Sequence, residues 1–438
     1  MTAPAFVIRN ARHWRTGAPL ELAVAGGAIV DRAPRGALSV DALGAVLAPG
    51  LVDTHVHLRE PGQAFKETIA TGTRAAAAGG FTAVCCMPNT EPVMDSAAWI
   101  EWVLSRAREA GHCRVHPIGA VTMGQKGEQL TPFVALRRAG AVALSDDGRP
   151  IMSAAVMRHA LEYAGHAGLP IVCHEEDLTL RGDGQMNEGL MATRLGVPAI
   201  PGAAESIMVR RDVDLAELTG GRVHLAHLTC RGSFDAVRDA KRRGLAVTAE
   251  TCPHYWTLTD EAVGDYDTCA KMNPPLRSEA DRDAAIAAVR DGTVDCLATD
   301  HAPHTTEEKR RPFDQAPFGI VGLETALALT NTFLVKPGHL TLARALELWT
   351  DAPRRVMGLP GMRLESGFPA DLVVLDPARE WTVDPEAFHS MGRNTPFAGW
   401  RLSGQVLATF CAGRLTHAHE AFEGARALTP APAAGAQA

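Results

Sequence analysis

Two histidines two residues apart, His55 and His57 in D-T-H-V-H-L-R-E, are the first residues of this chain whose spacing suggests chemistry. Residues i and i+2 of a strand point to one side, so both imidazoles can reach a single metal ion. More ligand-type side chains follow short apolar runs downstream. They are Asn89 in M-P-N-T, Asp146 and Asp147 in S-D-D-G, His174 in H-E-E-D, and His224 and His227 in H-L-A-H. Asn273 in K-M-N-P-P and Asp300, His301 and His304 in T-D-H-A-P-H complete the series. A lone Asp in such a place is usually a turn or helix-cap residue, and a lone His usually a structural one. Imidazoles and carboxylates closing at least four separate apolar runs change that balance and predict a metal site. A nitrogen and oxygen donor set without cysteine suits Zn²⁺ best, with Mn²⁺ or Co²⁺ as alternatives. H-E-E-D lacks the second histidine of H-E-x-x-H, which excludes a zincin-type site.

The elements that must position these residues are legible from the apolar pattern. Runs of four to eight residues, rich in Val, Ile and Ala, lie near 51–55, 81–87, 114–121, 141–144, 170–173, 222–225, 246–249 and 294–298. Between them lie stretches of helical period at 66–78, 96–109, 154–167, 233–243 and 278–290. Continuous apolar strands alternating with helices mean parallel strands buried on both faces, and eight of them predict an α/β fold, a (β/α)₈ barrel. Catalytic residues of such barrels sit at the C-terminal strand ends, where the ligand-type residues fall. A doubly wound nucleotide fold is the rival, but G-x-G-x-x-G and the P-loop pattern are both absent from the sequence. Residues 1–50 instead read as short strands, near 5–8, 20–24 and 28–30, and the same texture returns at 371–375, 381–383 and 406–411 after a last helix over 342–357. Both ends are therefore expected to build one small β domain, from 1–50 and 358–428, around a barrel over 51–357. The Pro- and Ala-rich segment 429–438 is expected to be disordered.

Length alone would allow about three domains of ~150 residues, but barrels routinely exceed that size. Against 43 Lys and Arg stand 50 Asp and Glu, a net charge of −7 without a basic block, which argues against nucleic acid or an anionic membrane as partner. No apolar run reaches the ~18 residues of a membrane helix, and Arg9, Arg12 and Arg15 precede no apolar core of a signal peptide. Nine scattered cysteines without a C-x-x-C pair read as reduced thiols, so a cytoplasmic location is expected. Of 17 histidines, ten need no chemistry, His224 among them, and His254 and His301 stay open.

These residues, in this order, resemble the amidohydrolase superfamily, specifically dihydroorotases of the long bacterial type. The resemblance runs from G-L-V-D-T-H-V-H-L-R-E-P-G through M-P-N-T, S-D-D-G, V-T-A-E-T-C-P-H and K-M-N-P-P-L-R to A-T-D-H-A-P-H and P-F-G-I-V-G-L-E-T-A. It implies the same barrel with a small β-sandwich domain, and one or two Zn²⁺ ions per chain. His55, His57 and Asp300 match the ligands of a first metal and His174 and His227 those of a second, with Asp147 bridging, chosen over Asp146 by the family's spacing. Hydantoinases, dihydropyrimidinases and allantoinases place a carboxylated lysine at the bridging position, where this chain has only S-D-D-G.

The implied reaction is the reversible hydrolysis of L-dihydroorotate to N-carbamoyl-L-aspartate, a step of pyrimidine synthesis. A zinc-activated hydroxide would attack the ring carbonyl, with Asp300 as proton shuttle. Arg59, four residues past His55, can grip the substrate carboxylate as a planar fork. The resemblance adds Asn89 and His304 to that clamp, His57 beside it, and Asn273 with the backbone of Phe318 and Gly319 around the ring. Two alternatives remain: another cyclic amidohydrolase of the hydantoinase type, or a non-catalytic partner of aspartate transcarbamoylase, which typically loses ligands that are present here. A homodimer and an association with the transcarbamoylase are both compatible with an active enzyme.

Overall fold

In the computed structural model, which describes residues 4–422 together with 424 and 428, eight parallel strands form one sheet in chain order. They are Leu51–Val56, Phe81–Cys86, Arg114–Gly119, Ala143–Ser145, Ile171–Cys173, Val223–Leu225, Val247–Thr251 and Cys296–Leu297, hereafter barrel strands one to eight. The first two are buried along their whole length, as strands covered on both faces must be. The ring closes between strands eight and one. Val56 bridges His301 in parallel, and His57 N donates to His301 O over 2.9 Å. Asp53 reinforces this seam, accepting Thr299 N at 3.1 Å and Thr299 Oγ1 at 2.5 Å. The expected (β/α)₈ barrel is therefore what the chain builds.

The helices between the strands start and stop on local signals. Ser153 Oγ accepts Val156 N at the start of helix Ala154–Ala167, and Gly168, in the left-handed region at φ 68°, ends it. That helix turns Met157, Ala160, Leu161 and Ala164 inward, and full burial of a side chain of Leu size is worth about 1.5–3 kcal/mol. The single last helix expected over 342–357 is broken into Leu342–Trp349 and Asp351–Met357. Pro353 explains the break: it has no N–H to give the carbonyl four residues back, and its ring would clash there.

Strands from both ends of the chain share a second eight-stranded sheet. Phe6–His13, Pro19–Ala25, Ala28–Val30, Leu38–Asp41 and Val46–Pro49 join Leu372–Thr382, Arg401–Cys411 and Arg414–Ala418. Strands Phe6–His13 and Arg401–Cys411 are three places apart in it, about 14 Å if the sheet were flat. Yet the rings of Phe6 and Phe410 stack with centroids 5.0 Å apart, so the sheet curls over its own core as two layers. That core holds Ile8, Val24, Val40, Leu47, Leu372 and Val374. Segment 429–438, expected to be disordered, lies outside the described residues. Among the described residues no helix is long and apolar enough to cross a membrane.

Candidate metal centre

The C-terminal ends of five barrel strands deliver six side chains to one point. His55 lies inside strand one and His57 one residue past it; Asp147 follows strand four, His174 strand five, His227 strand six and Asp300 strand eight. His55 Nε2 lies 3.4 Å from Asp147 Oδ1 and 3.6 Å from Asp300 Oδ1. His57 Nε2 lies 3.1 Å from Asp300 Oδ1 and 3.6 Å from Asp147 Oδ2. His227 Nε2 and His174 Nδ1 stand 3.0 Å from each other and 3.6 and 3.7 Å from Asp147 Oδ1. All six are buried. Ligand atoms of His55, His57 and Asp300 fall within 4.8 Å of one another, as do those of His55, Asp147 and His227.

The electrostatics of this cluster call for a cation. His55 Nε2 is buried without a hydrogen-bond partner, yet it faces two carboxylates. Burial disfavours a charged His55, but Asp147 and Asp300 outweigh it and raise its pKa well above the ordinary value. Burial likewise pushes the Asp300 and Asp147 carboxyls up, and the surrounding imidazoles, His55 first, reverse this and hold both well below the usual carboxylate range. Two carboxylates among four imidazoles, with His55 Nε2 facing both carboxylates unpaired, form a donor set that fits a divalent metal. Asp146, the neighbour of Asp147, is committed elsewhere: its carboxylate accepts Val121 N and Thr122 N and the Thr122 hydroxyl.

Over the centre opens a cleft of about 340 Å³, lined among others by Arg59, Asn89, Asn273, His304, Phe318 and Gly319. Asn89 joins the centre to the cleft wall, with Oδ1 2.9 Å from His57 Nδ1 and Nδ2 donating to Asp147 at 3.1 Å. The Arg59 guanidinium donates from Nε to Pro303 O at 3.2 Å and lies against His304. Burial lowers its pKa to about 10, which leaves it cationic at neutral pH. Burial brings His304 down to about 3, so its neutral ring donates from Nε2 to Phe318 O at 2.9 Å. At Gly319 a Cβ would meet Ala302 O at 2.6 Å and His304 Nε2 at 3.0 Å, so only glycine lets the backbone come this close. Arg59, His227 and Asp300 have φ of 61°, 37° and 46°, in the left-handed region that non-glycine residues seldom adopt and that clusters at functional sites.

The two undecided histidines both lie outside the cluster. His301 accepts Gly322 N at Nδ1 and turns Nε2 toward Glu67 and Ser390, while His254 is buried against Tyr255. Three carboxylates escaped the sequence reading. Glu250 backs His55, Glu176 lies 3.4 Å from His174 Nε2 and accepts Asn273 Nδ2 at 3.2 Å, and Glu205 receives Thr229 N at 3.0 Å. Glu250 did carry a signal, as a charge inside the apolar strand V-T-A-E-T.

A family model described as "Dihydro-orotase-like" matches residues 44–233. A dihydroorotase of Desulforapulum autotrophicum is 56% identical over 382 residues, 87% of this chain and 89% of its own. One of Anaeromyxobacter dehalogenans (strain 2CP-1) is 56% identical over 386 residues, 88% of this chain and 89% of its own. Among solved structures, the L-hydantoinase (dihydropyrimidinase) of Arthrobacter aurescens superposes with a TM-score of 0.83 over 95% of this chain and 96% of its own. At 23% identity that likeness speaks for the fold alone.

Proposed function

Starting from the chain's membership of the dihydroorotase family, shown by 56% identity over 87% of its length, we propose how its own residues divide the work of the reaction. The chain is an enzyme, a cyclic amidohydrolase of pyrimidine biosynthesis. Its reaction is the reversible hydrolysis of L-dihydroorotate to N-carbamoyl-L-aspartate. The observation that carries the assignment of residues is the partnerless Nε2 of His55, buried between the carboxylates of Asp147 and Asp300.

His55, His57 and Asp300 would hold one ion and His174 and His227 a second, with Asp147 available to both. The donor set favours zinc. When bound, such an ion polarises the scissile carbonyl and acidifies water from a pKa of ~15.7 to about 7. Asp300, ionised by its imidazole neighbours, takes the proton of the attacking water on a carboxylate oxygen and returns it to the leaving amide nitrogen. Arg59 grips the substrate carboxylate with its guanidinium, whose plane is fixed by the bond to Pro303 O. Asn89 and His304 complete that clamp, His57 lies beside it, and Asn273 with the Phe318–Gly319 backbone holds the ring. We read the barrel as 51–357 and the small β domain as 1–50 with 358–428, in a cytoplasmic protein. A homodimer and an association with aspartate transcarbamoylase are both compatible with this site, whereas a non-catalytic partner would typically have lost ligands that are present here.

The test is turnover by the purified, zinc-loaded chain, followed by ultraviolet absorbance. L-Dihydroorotate is expected to be consumed, while hydantoin, dihydrouracil and allantoin in parallel samples are left essentially unchanged. Turnover of any of these three with dihydroorotate untouched would refute the assignment.

A further inference from the structure

Behind His55, on the side away from the cleft, the barrel core contains a carboxylate that the reaction above does not use. Glu250 lies on strand seven and is fully buried, at 0% exposure. Both of its oxygens are engaged. Oε1 is 3.1 Å from His55 Nδ1, while Oε2 accepts the Thr54 hydroxyl and lies 3.0 Å from His224 Nε2. His224 is itself fully buried, and its Nδ1 lies 2.8 Å from Thr248 Oγ1. A line of side chains, Thr248, His224, Glu250 and His55, thus crosses the barrel interior from strand seven to strand one.

A buried carboxylate is costly unless fully paired, and apolar residues of similar volume often serve stability as well or better. Here both oxygens are paired, one with His55 and the other with Thr54 and His224. An acceptor at Nδ1 has a definite effect on His55. It fixes the tautomer with the proton on Nδ1 and leaves the Nε2 lone pair directed at the point between Asp147 and Asp300. The negative charge also makes that nitrogen a stronger donor.

We propose that Glu250 is the positioning residue of the first metal subsite, acting through His55, and that His224 holds Glu250 in place from the far side. The proposal rests on His55 being a metal ligand, as read above. Glu250→Gln keeps an acceptor for His55 Nδ1 while removing the charge, and His224→Gln keeps a donor for Glu250.

The experiment loads the full chain with Co²⁺, measures affinity by chelator competition and records the visible spectrum, with wild type and His55→Ala alongside. Glu250→Gln is expected to weaken metal binding about 10- to 100-fold and to shift the cobalt absorption bands. His224→Gln should move both in the same direction, by several-fold in affinity. It also serves as the deciding variant if Glu250→Gln does not fold. Wild-type affinity with an unchanged spectrum in the folded variants would overturn the positioning role. If instead His55→Ala binds cobalt as tightly as wild type, the metal role of His55 itself is wrong, an outcome the controls keep separate.

Discussion

Under the proposed function Asp300 carries two tasks, metal ligand and proton shuttle. Its carboxylate lies 3.1 Å from His57 Nε2 and 3.6 Å from His55 Nε2, and its backbone is held at φ 46°. Such a conformation costs of order 1–3 kcal/mol and persists only where the surroundings fix it. Here the seam between strands eight and one does so, through Thr299 on Asp53 and His301 on Val56 and His57. Asp300→Asn keeps the shape and removes the proton acceptor. Turnover is expected to fall at least 1,000-fold, of the order that general acid–base groups contribute, while elemental analysis still finds zinc on the chain. Substantial residual activity would remove Asp300 from proton transfer. Much at this scale was legible beforehand, because ligand-type residues at strand ends stand out from apolar runs. The choice between Asp146 and Asp147 did not follow from residue type. It depends on which carboxylate the turn sends to Val121 and Thr122 and which it sends inward. Glu250 and His224 were passed over because apolar runs give strand order and direction but not the register that brings interior side chains of different strands together.

At the scale of elements, strands are the most legible part, since most barrel strands are apolar runs followed by polar residues. Short strands such as Cys296–Leu297 blur only at their ends. The helix broken at Thr350 and the strands Leu38–Asp41 and Arg414–Ala418 were harder to see, because a proline in a first helical turn and half-polar edge strands give weak local signals. Two histidines on strands make stability depend on pH. His116, on barrel strand three, and His417, on strand Arg414–Ala418, are both lowered by burial from 6.5 to about 4. Between those values the unfolded chain binds more protons at these positions than the folded one. Their contribution is therefore complete above pH 6.5 and is lost as the pH falls toward 4. At pH 5 the loss from His116 alone is about 2 kcal/mol. His116→Gln should flatten the fall in Tm between pH 7 and pH 5 relative to wild type. An equally steep fall in the variant would show that His116 is not responsible.

On the scale of the whole molecule, the chain leaves one sheet to build a barrel and returns to complete the sheet. Strand Val46–Pro49 runs straight into barrel strand one, and Leu372–Thr382 pairs with it antiparallel on the way back. His55 and His57 are thus only a few residues from a strand clamped on both sides, which keeps them on a rigid element. The surrounding charge of −7 does nothing to attract an anionic substrate. Under the proposed function its capture falls to Arg59 and to the cations that the six-residue centre would hold. That dependence is tested most directly by stripping the chain with a chelator and restoring Zn²⁺ stepwise while following the loss of L-dihydroorotate. The stripped chain should be inactive and still folded, and activity should return in proportion to added metal, reaching its plateau at no more than two ions per chain. A stripped chain that turns over as fast as the loaded one would contradict the account.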